Sequence, residues 1–227
     1  MGNTSQFAII NQKAQKRNNM SNPWNSIKLI DYESHMSLDS VGQLQSLNRM
    51  MASQFEDFPV KTAVVLGVAG GNGLEHIDLD KYQTVYGVDI NEDYLKEVYK
   101  RHEDKKKALR CLQLDIINEA DKLPRAELVI ANLLVEYIGY DAFKNAIKKI
   151  DPEYVSVGIQ INTDEKAWVS DSPYLHAFDR LDEVHHQMEE QAMTECLKEI
   201  GYKNTGSFMD DLPNGKALVR LDYKKDM

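Results

Sequence analysis

Apolar residues from position 60 onward fall into short runs bounded by turn residues. Ala63 to Leu66, Val85 to Val88, Leu109 to Leu114 and Leu128 to Ala131 have this form, and Val155, Val157, Ile159 and Ile161 alternate through a fifth run. Runs of this length predict buried strands. Between them lie stretches of helical character, including Asn91 to His102 and Ala142 to Ile150. Strands alternating with helices predict a parallel sheet covered on both faces, because parallel strands need crossover connections.

The two ends of the chain follow other patterns. Residues 1–22 are polar and read as a loose arm. Ser37 is placed to cap a helix beginning near Leu38, with Val41, Leu44, Leu47, Met51 and Phe55 at three- and four-residue steps. Toward the other end, Leu181, Val184, Met188, Ala192 and Leu197 predict one long helix from Leu181 to Ile200, stopped by Gly201. Two strand-like runs follow, Thr205 to Leu212 and Lys216 to Tyr223. Pro213-Asn214-Gly215 separates them, and Asn-Gly is a strong hairpin signal because both residues tolerate positive φ. The expected fold is a doubly wound, Rossmann-like α/β domain over residues 59–227. Its seven-stranded sheet has five parallel strands and a C-terminal antiparallel hairpin, and residues 23–58 form an N-terminal helical lid.

Composition narrows the partners. A formal net charge of -9 over 227 residues argues against a generic grip on nucleic acid. Lys105-Lys106-Lys107 reads as a solvated helix end. Cys111 and Cys196 are far apart, with no Cys-x-x-Cys or Cys/His spacing around them, so no metal is expected and a reduced, cytoplasmic protein is. The N-terminal residues lack a signal-peptide core, and no run is long enough to span a bilayer. Gln6 stands where a myristoylation signal starting at Gly2 needs Ser or Thr. The expected partner is a small-molecule substrate, with no nucleic acid and no membrane; a homo-oligomer is left open.

Candidate chemistry starts at Val64 to Gly73, VVLGVAGGNG. A strand runs into Gly67, Ala69, Gly71 and Gly73, and a helix is expected beyond. Small residues let the backbone approach a ligand, and free N–H groups at a helix start attract polar or anionic groups. A tight turn without a ligand would account for this run alone. Asp89 sharpens the case: it ends the second strand, some twenty residues on, where a carboxylate can accept both hydroxyls of an adenosine ribose. Capping the next helix is the other reading of Asp89, but Asn91 is available for that. A nicotinamide-type GxGxxG placed at Gly67 puts Asn72 at its third glycine, a poor fit, whereas GxGxG places Gly67, Ala69 and Gly71 with one small substitution.

On these residues the chain resembles the class I S-adenosylmethionine-dependent methyltransferases over about residues 60–223. LGVAGGNG is similar to their first motif, YGVDIN to the acidic second, LQLDI to the third and LVIANLL to the fourth; the terminal helix and hairpin are similar to the family's last elements. The resemblance implies S-adenosylmethionine as cofactor. Gly67, Ala69, Gly71, Asp89 and Ile90 would hold it, Asp115 would face the adenine amino group, and Ile116 would face the ring. The fourth motif brings in Asn132 and Leu133. Most dehydrogenase sheets lack such a hairpin, which favours this reading over an NAD(P)-binding oxidoreductase. Val65 stands where many members carry an acid that helps hold the methionine amino group, so Asn132 or the preceding segment would take that end. Ala131-Asn132-Leu133-Leu134 lacks the Pro-Pro-aromatic sequence that amino-methyltransferases of adenine or glutamine carry.

The segment Trp24 to Gln43, with Asp31-Tyr32-Glu33-Ser34-His35-Met36, is similar to the N-terminal segment of a largely uncharacterised bacterial group of small-molecule type in this class. There it implies a cover over the open end of the sheet, with Tyr32 on the cofactor; ordinary helix packing accounts for Tyr32, His35 and Met36 as well. Glu136 and Tyr137 follow the fourth strand, where the active mouth is expected, although a solvated helix start explains them too. Gln160 and Asn162 end the fifth strand on the same side. Trp168 to His176 forms the next loop, with Ser172-Pro173-Tyr174 as a substrate wall. His76 is expected to pack on the first helix. His185 and His186, adjacent on the expected helix, point different ways and do not make a metal pair.

Methyl transfer from a sulfonium requires alignment of the nucleophile and exclusion of water, and a base only when the nucleophile must lose a proton. His35 is the first candidate for that base and Glu136 the second, with Tyr137, Gln160 and Tyr174 on the substrate. A non-catalytic nucleotide-binding module is the remaining alternative.

Overall fold

The computed structural model describes residues 22–162 and 169–226. Seven strands form one sheet: β1 (Thr62–Leu66), β2 (Thr84–Asp89), β3 (Leu109–Gln113), β4 (Leu128–Asn132), β5 (Tyr154–Ile161), β6 (Tyr202–Asp211) and β7 (Ala217–Lys225). Their order is β3-β2-β1-β4-β5-β7-β6. The first five run parallel, β7 runs antiparallel to β5, and β6 is antiparallel to β7. The chain winds outward from β1 through β2 to β3, then crosses to β4 on the other side. The loops leaving β1 and β4 therefore diverge and open a crevice at the carboxyl edge.

Alternation along β1 supplies both layers of core. Val64 and Leu66 point to one face, where they meet Phe143, Ala146 and Ile147 of α4 (Val135–Ile150) and Met193 and Leu197 of α5 (Glu190–Lys198). Ala63 and Val65 point to the other face. There Met51 and Phe55 of α2 (Gln43–Asp57) and Leu95 and Val98 of α3 (Glu92–Arg101) cover them. Every strand from β1 to β5 lies within a residue of its expected place, and the hairpin forms. Its turn differs in detail: Gly215 alone takes positive φ, while the Asn214 carboxamide accepts from Lys216 N–H.

Several expectations need correction. Ser37 does not open a helix. It closes α1 (Leu29–Met36), donating its N–H to Glu33 O, and α2 starts six residues later behind Gly42 at φ 66°. Val41 keeps the helical spacing in sequence but is buried in the turn between the two helices. The long helix from Leu181 is also absent. Residues Leu175–Glu183 form 3-10 turns, an extended stretch follows, and α5 begins only at Glu190. The His186 N–H donates to Glu136 O at 2.7 Å, which draws the extended stretch onto α4. Leu181 and Met188 are still buried, which is why the spacing imitated one helix. In contrast, α4 starts earlier than Ala142, with a kink at Gly139 (φ 75°).

No helix follows the glycine-rich turn beyond a single 3-10 turn at Leu74–His76. Asp78 folds the next residues back on themselves, its carboxylate accepting from Asp80 N–H. That place on the sheet belongs to α2. Lys81 Nζ donates to the carbonyls of Phe55 and Glu56, and the Tyr82 hydroxyl donates to Phe55 O, so the open end of α2 is capped from the loop. Of residues 23–58, α1 and the turn before it lie toward the carboxyl edge, whereas α2 is a layer of the domain. Among the described residues no helix is long and apolar enough to cross a membrane.

Gly73 marks how closely α2 is seated. At φ 92°, a Cβ there would stand 2.6 Å from Cβ of Met51, whereas one at Gly201 (φ 85°) would meet nothing. Gly201→Ala is expected to cost the left-handed strain alone, about 1–2 kcal/mol. Gly73→Ala is expected to cost a further ~1–3 kcal/mol from overpacking. Urea unfolding of both variants measures the difference; equal losses would mean that α2 does not press on this loop.

Candidate functional site

Asp89 ties together the two loops that floor the crevice. Its Oδ2 accepts from Ala69 N–H at 2.9 Å and its Oδ1 from Asn91 N–H at 2.9 Å. Burial pushes its pKa up, against the pull of the N–H groups of Asn91, Ala69 and Ile90. Each oxygen retains acceptor capacity beyond its one backbone bond. The capping role falls to Asn91, whose Oδ1 accepts from the N–H groups of Asp93 and Tyr94 at the start of α3. Ala69 adopts φ 45°, so the residue in place of a glycine carries left-handed strain.

Above Asp89 lies a cleft of about 660 Å³ that is open to solvent. Gly67, Ala69 and Asp89 form its floor, Ile90, Asp115 and Ile116 one wall, and Asn132 and Leu133 the other. Gly71, expected with them, is set back from this lining; a Cβ on it would meet the His102 ring at 2.8 Å. The Asp115 carboxylate is used within its own turn, accepting from Ile117 N–H at 3.0 Å and from the Asn118 amide at 2.7 Å. Asn132 exchanges hydrogen bonds with Gln54 of α2 in both directions, at 3.0 and 2.8 Å. Gln54 also donates to Ser156 Oγ, which donates to Asp222. Gln54 is fully buried and was missed in the sequence; its one signal was a polar residue at core-facing spacing on α2.

A second cleft of about 620 Å³ adjoins the first, and Trp24, Tyr32, Leu133 and Tyr137 line both. The Trp24 ring stands edge-on to Tyr137 at 4.8 Å and to Tyr32 at 5.7 Å. Leu133, at φ 51°, is a second non-glycine residue in the left-handed region, which no sequence signal announced. His35, Gln43, Glu136 and Gln160 supply polar groups to this cleft, with Asn162 and His185.

Glu136 is the clearest correction. The expected solvated helix start is only 4% exposed. Its Oε1 accepts from Gln160 N–H at 3.0 Å, and its Oε2 has no hydrogen-bond partner among the described residues. Burial pushes its pKa from an ordinary 4.5 up to about 7. His35 is engaged instead: Nδ1 lies 2.8 Å from Ser172 Oγ, and its ring lies 4.9 Å from that of Phe178. Burial, then Lys216, hold its pKa below the usual histidine value, and burial with His186 takes His185 down to about 4. Both imidazoles are therefore neutral at pH 7.

The remaining candidates are dispersed. Tyr174 packs on the cluster of Ile27, Phe178 and Leu181. Trp168 lies outside the described residues. His185 and His186 sit on the extended stretch rather than on a helix; His185 faces Tyr137, and His186 lies beside Gly139. His76 is exposed, its Nε2 2.9 Å from Asn48 Oδ1 on α2. Val65 is buried in the sheet. Glu33 approaches the glycine loop from α1, paired with Arg101, whose guanidinium also donates to Gly70 O.

No protein-family model and no curated protein matches the sequence. Solved structures share its fold. N-methyltransferase NodS from Bradyrhizobium japonicum WM9, in complex with S-adenosyl-l-homocysteine, is 11% identical with a TM-score of 0.63, over 91% of this chain and 100% of that one. Magnesium protoporphyrin IX methyltransferase from Synechocystis PCC 6803, with bound SAM, is 13% identical with a TM-score of 0.58, over 82% and 81%. The [4+2]-cyclase SpnF is 9% identical with a TM-score of 0.61, over 80% and 81%. The likeness establishes a methyltransferase-type fold, which also carries a reaction of another name, so function must be argued from the site.

Glu136 makes stability depend on pH in a defined direction. Its folded pKa lies above the unfolded one, so the folded state holds the extra proton between about 4.5 and 7 and stability falls as pH rises through that window. A displacement of that size is worth about 3 kcal/mol. Glu136→Gln is expected to gain about that much relative to the parent between pH 4 and pH 8, by urea unfolding at both. A constant difference between the two proteins would place Glu136 in water.

Proposed function

We propose that this protein is an S-adenosylmethionine-dependent methyltransferase acting on a nitrogen or oxygen nucleophile of a small molecule. The observation that carries the reading is Asp89, held by Ala69 and Asn91 at the end of β2, in a cleft that meets a second one across Tyr137 and Leu133. A carboxylate fixed by two backbone donors and still able to accept suits a vicinal diol. The apolar side chains of Ile90 and Ile116 suit a flat ring, with Asp115 at its polar edge. Gly67 and Ala69 allow close approach of the backbone, and the methionine end with its sulfonium would lie between Asn132 in the first cleft and Tyr32 and Leu133, which the second cleft shares. When bound, this cofactor supplies an electrophilic methyl group on positively charged sulfur.

The chain's own residues have little bond chemistry to perform. Trp24, Tyr32 and Tyr137 exclude water and hold the acceptor in line, and such positioning is worth on the order of 7–11 kcal/mol. Where the acceptor must lose a proton, the unpartnered oxygen favours Glu136 over His35, whose Nδ1 faces Ser172. An oxidoreductase reading is disfavoured because no helix N-terminus follows the glycine loop to receive a pyrophosphate. Asn72, at the third position of that motif, instead donates to Leu44 O of α2.

Calorimetry is expected to show association with S-adenosylmethionine and S-adenosylhomocysteine and none with NADH. Asp89→Ala is expected to weaken both associations at least tenfold, on the order of 1.4 kcal/mol or more. Folded protein that ignores both sulfur compounds would end this reading.

A further inference from the structure

The second cleft contains an unsatisfied acceptor. A buried polar atom without a partner is costly and rare, and a ligand donor is one way to satisfy it. Oε2 of Glu136 is such an atom, buried on a side chain that lines this cleft together with the rings of Trp24, Tyr32, Tyr137 and Phe178. We propose that this cleft takes an organic ammonium ion whose nitrogen docks on Oε2 of Glu136 among those rings, so that the methyl acceptor is an amine. The amine site stands on Glu136 and the rings alone; its role as methyl acceptor rests on the function proposed above.

Charge selects among possible donors. Aromatic faces favour a cation, and a carboxylate ligand would face Glu136 itself. The other titratable side chains that line this cleft add no positive charge. His35 from α1 and His185 from the extended stretch are neutral at pH 7, and Tyr32 and Tyr137 are held protonated by burial. Lys216, just before β7 and outside that lining, depresses both imidazoles; burial brings it down to about 8, so it keeps most of its charge at pH 7.

Proton transfer also favours an amine. An alkylammonium has a pKa of about 10, within reach of a carboxylate that titrates near 7, whereas an alcohol is far too weak an acid for it. The ammonium passes one proton to Oε2, leaving R–NH2 and a neutral Glu136. The nitrogen lone pair then forms the N–CH3 bond as the C–S bond breaks and its electron pair returns to sulfur. The sulfonium charge passes to the product R–NH2–CH3+, and Glu136 returns its proton to solvent.

The test is calorimetric, at pH 7, in protein with and without saturating S-adenosylhomocysteine. Benzylamine, 2-phenylethylamine and tryptamine are compared with the corresponding alcohols and carboxylates. At least one amine is expected to bind tenfold or more tightly than its alcohol, and its carboxylate more weakly still. Because a bound ammonium holds Glu136 ionised, titrations in two buffers of different ionisation enthalpy are expected to show release of about half a proton per amine. Glu136→Gln is expected to lose both the preference and the proton release while keeping its affinity for S-adenosylhomocysteine. The wild-type ratio and proton count stand without that variant if it folds poorly. No binding by any probe, equal binding of amine and alcohol, or a preference that survives Glu136→Gln would overturn the proposal. Amine binding in a protein that ignores S-adenosylhomocysteine would overturn the methyl-transfer reading and leave the amine site standing.

Discussion

The carboxylate of Asp89 holds the glycine loop and the start of α3 at once, through Ala69 N–H on one oxygen and Asn91 N–H on the other. The crevice depends on this double attachment. Ala69 and Leu133 both sit in left-handed backbone, each at a cost of roughly 1–2 kcal/mol, and strain of that kind persists only where the surroundings overdetermine it. For Ala69 the determining contact is Asp89 itself. For Leu133 it is the sheet, through the bond from Leu133 N–H to Gly158 O at 2.8 Å.

Around that clamp the N-terminal residues have two jobs. α2 fills the layer position next to β1 that the short Leu74–His76 turn leaves open, and it carries Gln54 into the interior to orient the Asn132 carboxamide. Buried polar chains of this sort hold a unique arrangement when every member is satisfied. α1 and the turn before it bring Trp24, Tyr32 and His35 to the carboxyl edge. Glu33 ties α1 to Arg101 of α3.

Glu136 contrasts with Asp89. Both carboxyls are buried and both are raised in pKa by that burial. Asp89 uses its two oxygens for structure, whereas Glu136 uses one and leaves the other buried without a partner among the described residues.

Strand positions, the antiparallel hairpin, and the glycine loop followed by an acid some twenty residues on were legible in the sequence. Each rests on local chemistry: β-rich apolar runs, an Asn-Gly turn, and small residues where the backbone bends. Tertiary structure decided the rest. It broke the Leu181 periodicity into 3-10 turns and a short helix, and the His186 N–H bonds to Glu136 O of α4 in place of a helical carbonyl. It withheld a helix after the glycine loop and seated α2 there. It also buried Glu136, which at the start of a helix reads as solvated. Spacing records which residues share a face; which element covers that face, and which polar atom is left without a partner, are set by contacts between residues distant in the chain.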